Sequence, residues 1–161
     1  AGMLNIDAAS HCELACLTVP FAHQEATLLS IEGALADKIM IDATVPLMPP
    51  KVMRVQLPIE GSAALKAQSL LGESTTVISA FQNISAELLQ TDADIDCDVL
   101  VAGDFIEARN TVISLAKDAG LTAWHAGPLC NSAAAEALTS ILIAINKKHS
   151  LAHSGIRITG H

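Results

Sequence analysis

Short apolar runs alternate along the chain with longer segments whose apolar residues recur every three or four positions. The runs are ELACLTVP (13–20), KIMIDATVP (38–46), TTVISAF (75–81), CDVLVAGD (97–104) and LTAWHAGP (121–128). Each is only a few residues long and mostly apolar on both faces, the pattern of strands covered by helices on either side. The intervening segments predict helices at 22–36, as one helix or two with Gly33 as the break, and at 62–71 with Gly72 at the stop. Asp104 and Glu107 form a D-x-x-E capping box. After it, Ala108, Val112, Leu115, Ala116 and Ala119 recur at helical spacing up to Gly120. Asn131 is placed to cap a last helix. Its Ala134, Leu138, Ile141, Leu142 and Ile145 form one apolar stripe, expected to be buried, and Lys147, Lys148 and His149 sit where cations suit the helix dipole.

Strands alternating with helices predict an α/β fold with a Rossmann-like, mainly parallel sheet. The 161 residues fit one domain, residues 1–161. The segment VPLMPPKVMRVQLPIEGS (45–62) holds four of the six prolines and reads as a long irregular connection. CLTVPF and DATVPL form a near-repeat: each is a strand followed by Thr-Val-Pro, with a helical segment between them, as in one parallel strand–helix–strand unit. Pro20 and Pro46 would then end both strands at one edge of the sheet, where open α/β sheets bind ligands. The glycine-rich turn G-x-G-x-x-G of dinucleotide folds does not occur, since Gly33, Gly61, Gly72 and Gly103 are isolated. The expected fold is therefore N-terminally truncated, with an open edge on its first strand and a C-terminal α/β portion. A partner covering that edge, or self-association, is the corresponding expectation.

Composition narrows the chemistry. Seventeen acidic residues against nine basic ones leave a net charge of −8, which argues against nucleic acid. Apolar residues at 51% exclude a disordered chain. The most apolar stretch, 133–146, contains Glu136, Thr139 and Ser140 and falls short of the roughly 18 apolar residues of a membrane span. With no secretory signal visible, a cytoplasmic protein with no membrane partner is expected. Cys12, Cys16, Cys97 and Cys130 lack zinc-site spacing and read as free thiols in a reducing compartment. The run Asp92, Asp94, Asp96, Asp98 lacks the Gly and terminal Glu of a calcium loop, and His149, His153 and His161 have no metal geometry, so no metal is expected. No catalytic triad or carboxylate pair stands out either. Phe81 reads equally as core or as a ring contact, Asn83 as a turn residue or a ligand contact, and His23 as a helix-start residue.

Seven stretches follow one another in the order of a known family: LTVPFAHQEATL (17–28), KIMIDATVPL (38–47), GSAALKAQSLLG (61–72), VISAFQNISAELL (77–89), DVLVAGDFIEARNTVISLAKDAGL (98–121), AGPLCNSAAAEALTSILIAIN (126–146) and SGIRITG (154–160). Taken together they resemble the NADPH-dependent reductases of the deazaflavin coenzyme F420. AFQNISA, AGPLCNS and the terminal GIRITG carry most of the specificity. Members of the family resemble this chain only after an N-terminal segment with the glycine-rich loop. The resemblance implies hydride transfer between NADP(H) and coenzyme F420, chemistry that belongs to the cofactors while the protein orients two flat rings. It implies that residues 1–47 are the remainder of a dinucleotide-binding half and 48–161 the deazaflavin-side half. Thr18, Val19, Pro20 and Phe21, with Thr44, Val45 and Pro46, match positions lining the nicotinamide side. Phe81, Gln82, Asn83, Ile84 and Ser85 match the loop that meets the deazaflavin, although relatives often carry Asn or His at position 82. Gly127, Pro128 and Leu129 match a turn beside it. Arg157 would pair with a phosphate or the coenzyme's carboxylate tail, or else sit in a surface ion pair. Two alternatives stand beside this: a non-enzymatic or partner-dependent remnant keeping only the deazaflavin pocket, and another Rossmann-type reductase resembling pyrroline-5-carboxylate reductase. The latter shares the strand-TVP corner but not the GIRITG end.

Overall fold

A computed structural model describes residues 2–91 and 93–160. Asp92 and His161, named above in the acidic run and among the terminal histidines, lie outside the described residues. In chain order the main elements are α1 (Asn5–His11), β1 (Leu14–Leu17), α2 (Gln24–Ile31), β2 (Ile39–Asp42), α3 (Ala63–Leu71), β3 (Thr76–Ser79), β4 (Asp98–Ala102), α4 (Ile106–Asp118), β5 (Thr122–Gly127) and α5 (Ser132–His149). The strands form one sheet in the order β1-β2-β3-β4-β5.

Every strand run read from the sequence is a strand, and successive residues point to opposite faces. On β2, Met40 joins a core shared with α1, α2 and α3, which also holds Leu28, Ile31, Ala64, Ala67, Leu71 and Val77. Its neighbour Ile41 joins a second core with Ile78, Val99, Val101 and the α4 residues Ala108, Val112 and Ala116. Each fully buried Leu or Ile contributes about 1.5–3 kcal/mol, so two covered faces explain the apolar runs of β2, β3 and β4, whereas the edge strands β1 and β5 are largely uncovered, contrary to the expectation of helices on both faces of every strand.

Sheet direction departs from a uniform parallel ladder. β1, β2 and β3 are parallel, as are β4 and β5. The two blocks meet antiparallel through the single pair Ser79 and Ala102. A parallel return needs a crossover, usually a helix. Between β3 and β4 the described chain offers only the 3-10 turn Leu88–Gln90, so β4 comes back in the opposite sense.

Two predicted caps are not formed. Asp104 does not cap α4, because its Oδ1 accepts instead from the Leu129 N–H at 2.9 Å. Asn131 is already helical at φ −71°, ψ −11°, because the 3-10 turn Leu129–Asn131 leads directly into α5, and its amide donates to the Ala126 carbonyl. The larger departure concerns the last helix. Its buried residues are Ser132, Ala135, Glu136, Ser140 and Leu142. Of the stripe predicted to be core, only Leu142 is buried, while Ala134, Ile141 and Ile145 are exposed and Leu138 is half-buried. Polar side chains go inward because they bond to neighbouring elements there, as the site shows.

Candidate functional site

The carboxyl ends of β1, β2 and β3 lie side by side, and three irregular corners leave them. The sequence places a side-chain amide in or just after the first and third, and each one braces its neighbours. Gln24, at the start of α2 just past the first corner, is fully buried. Its Nε2 donates to Asp42 Oδ2 at 2.6 Å, to Thr44 Oγ1 at 2.9 Å and to the Ala63 carbonyl at 2.9 Å. Asp42, the last residue of β2, also accepts from the Thr44 backbone N–H at 2.8 Å through Oδ1. Burial pushes the Asp42 carboxyl up, against the opposing pull of the bonds from Thr44 and Gln24. Gln82, in the third corner, donates through Nε2 to the Asp42 carbonyl and to Ser79 Oγ, both at 2.8 Å. Its Oε1 is buried with no partner among the described residues.

The third corner is turned by an unusual backbone. Phe81 sits at φ +73°, a left-handed conformation that costs a bulky residue about 1–2 kcal/mol. The turn sends the Asn83 amide the other way, onto α5, where Nδ2 donates to the Ala135 carbonyl at 2.8 Å and to Thr139 Oγ1 at 3.1 Å.

A hollow of about 410 Å³ opens at these strand ends, lined by residues that include Thr18, Ala43, Phe81, Gln82, Ile84 and Leu115. Thr18 from the first corner and Phe81, Gln82 and Ile84 from the third are thus brought together. Val19, Pro20, Phe21, Val45 and Pro46 are not on its wall; Pro20 is exposed, Val19, Phe21 and Val45 are half-buried and Pro46 is buried. Thr44 is held in the buried cluster around Gln24. Asn83 and Ser85, with Gln82 and Ile84, line a second hollow of about 330 Å³ against α5 and residues 152–154. Gly127 turns at φ +90°, and its carbonyl accepts from the Gly103 N–H and from Arg109. Pro128 is exposed beside it, and Leu129 is core. Arg157 lies away from both hollows, exposed and ion-paired with Asp96.

Sequence reading missed Glu136 as a brace. Its carboxylate accepts from the Ala63 N–H at 2.7 Å and the Ala64 N–H at 3.1 Å, at the N-terminus of α3. There it meets the positive end of the helix dipole. Burial pushes it up to about 7, with the Asp42 charge adding and the two amides opposing. Its signal was present: it is the only charge between Ala133 and Asn146. Gln24 left a weaker one, a polar residue four positions before the buried apolar Leu28.

These features define a Rossmann-like α/β protein with a cofactor-sized hollow outside the carboxyl ends of its strands. No family model matches the chain. It is 41% identical over 164 residues to the F420-dependent NADP reductase of Methanothermobacter thermautotrophicus, spanning 98% of this chain and 71% of that protein. It is 37% identical over 163 residues to the reductase of the same name from Methanocaldococcus jannaschii, spanning 98% and 73%. A crystal structure described as a putative F420-dependent NADP reductase from Arthrobacter sp. FB24 superposes with a TM-score of 0.85 at 23% identity, covering 98% of this chain and 74% of that one. The chain belongs to the F420-dependent NADP reductase family.

Proposed function

We propose that the protein is an oxidoreductase that transfers a hydride between NADP(H) and the deazaflavin coenzyme F420. The observation that carries this reading is the hollow gathering Thr18, Phe81, Gln82 and Ile84, in a chain 37–41% identical to reductases of that name. The residues present suit a planar heterocycle. The wall is largely apolar, its volume falls within the range of ordinary ligand sites, and the buried, unpartnered Gln82 Oε1 offers an acceptor for a ring N–H.

When bound, the two cofactors supply the hydride donor and acceptor, and the chain supplies placement. Phe81 and Ile84 would form the face against which a deazaflavin lies, and Thr18 marks the nicotinamide side. Thr44 acts at one remove: its bonds to Asp42 and Gln24 fix the second corner against the first. Gln82 ties the third corner to the second through the Asp42 carbonyl. Three corners braced by side-chain amides give a rigid floor, and apolar walls exclude water from the reacting faces. A role for Arg157 on an anionic tail would require the tail to displace Asp96.

The test is to titrate the chain separately with NADPH and with coenzyme F420, then follow hydride transfer at the visible band of the deazaflavin. Turnover supports the proposal. Coenzyme binding without NADPH binding replaces it with the partner-dependent reading, and binding of neither overturns it.

A further inference from the structure

Gln82 holds one side of its amide against the sheet and leaves the other without a partner. The residue is 6% exposed, and with Ile84 and Ala86 it lines both the hollow at the strand ends and the second hollow beside α5. Its Nε2 donates to the Asp42 carbonyl and to Ser79 Oγ, both at 2.8 Å. An amide nitrogen carries two hydrogens, so both are committed. Its Oε1 is buried and has no partner among the described residues. A buried acceptor left unpaired is costly, and one on a cavity wall is completed by a donor on whatever fills the cavity.

The two groups that hold the amide come from one register pair. Ser79, the last residue of β3, lies opposite Asp42, the last residue of β2. Ser79 also forms the antiparallel pair with Ala102 of β4, so its backbone is held from both sides, and the residue is fully buried. The Asp42 carbonyl accepts a further bond from the Ala80 N–H at 3.3 Å. A carbonyl oxygen accepts and never donates, so it forbids the flipped amide. With that bond alone the amide could still pivot. The Ser79 hydroxyl takes the remaining hydrogen and fixes the plane.

We propose that Ser79 is a positioning residue for cofactor recognition. It locks the Gln82 amide so that only an acceptor faces the ligand, and this selects a heterocycle that presents an N–H donor there. The proposal rests on the reading of the site as one for a deazaflavin, whose ring carries an imide N–H. Ser79 acts through Gln82 alone, since it lies on the wall of neither hollow.

Fluorescence titration of the full chain with coenzyme F420, and with its derivative methylated at the imide nitrogen, reads this choice. The wild type is expected to bind the methylated compound about tenfold more weakly, because Oε1 is then left unpaired. Ser79→Ala should raise the Kd for the coenzyme roughly three- to tenfold, the size of one hydrogen bond, and narrow the gap between the two compounds. A serine that served the fold alone would weaken both compounds alike. Ser79→Thr and Ser79→Val have nearly the same shape and differ in the hydroxyl. The first should keep the gap and the second lose it, which decides the matter even where Ser79→Ala unfolds. In a Gln82→Leu background, Ser79→Ala should change neither Kd. A gap unchanged in Ser79→Ala and Ser79→Val, or an equal loss in the Gln82→Leu background, overturns the proposal and leaves the cofactor reading standing. So does a wild type that binds both compounds equally. Failure of the wild type to bind coenzyme F420 overturns both.

Discussion

Glu136 on α5 accepts a hydrogen bond from the Ala63 backbone amide at 2.7 Å, across 73 residues of sequence. This contact joins the last helix to the helix that follows the proline-rich segment. It places a carboxylate at a helix N-terminus inside the protein, and its titration should be visible in stability. The folded-state value is about 7 against an ordinary 4.5. Between those values the folded protein holds a proton that the unfolded chain has released, so stability should fall as pH rises from about 4.5 and level off above about 7. The full loss is on the order of 3 kcal/mol. Urea unfolding from pH 4.5 to 8 checks it. Glu136→Gln should flatten that slope, and a slope unchanged in the variant would place the titration elsewhere.

Gln24 shares one amide among Asp42, Thr44 and the Ala63 carbonyl. Gln24→Leu leaves those acceptors short of a donor and should cost about 2–3 kcal/mol in urea unfolding. Gln24→Glu brings a second carboxyl against buried Asp42 and should be the more damaging variant at pH 8. The gap between the two should close as the pH falls and the carboxyls take up protons.

Phe81 combines a positive φ with a place on the hollow wall. Phe81→Gly removes both the ring and the backbone strain, while Phe81→Ala removes the ring alone. The glycine variant should therefore be the more stable of the two by about 1 kcal/mol in thermal unfolding. Both should lose coenzyme F420 affinity by roughly three- to tenfold, the size of an aromatic contact. Equal stability of the two variants would show that the turn is not strained.

Asp98 holds the C-terminal segment down. Its Oδ2 accepts from Trp124 Nε1 and from the Ile158 N–H, both at 2.8 Å. Asp98→Ala should free both, shift the emission of the single tryptophan to longer wavelength and expose residues 154–160 to proteolysis. Unchanged emission would mean that Trp124 is held by other contacts.

The central strands β2, β3 and β4 were legible because burial on both sheet faces leaves runs with no polar face, and the edge strands β1 and β5 were read from short, mostly apolar runs although they are largely uncovered. The TVP corners were legible as strand ends for the same local reason. Thr18 could be nominated from its place after a strand, and Phe81, Gln82 and Ile84 from the family resemblance, but the turn at Phe81 that sends Asn83 to α5 could not. It depends on a backbone conformation that no preceding residue announces. The caps failed similarly: Asp104 had the right spacing for its own helix and found a better partner in the Leu129 amide.

The last helix shows most plainly where the sequence stops. Its 3.6-residue periodicity determined that it is a helix with one apolar stripe, because that is a property of neighbours along the chain. Which side faces inward was decided by partners distant in sequence. Glu136 meets the unpaired amides of α3, Ser132 meets Ser62, and Thr139 and Ala135 receive Asn83. A buried helix N-terminus left without acceptors costs more than an exposed row of alanine, leucine and isoleucine, so satisfying those polar groups set the orientation of the helix.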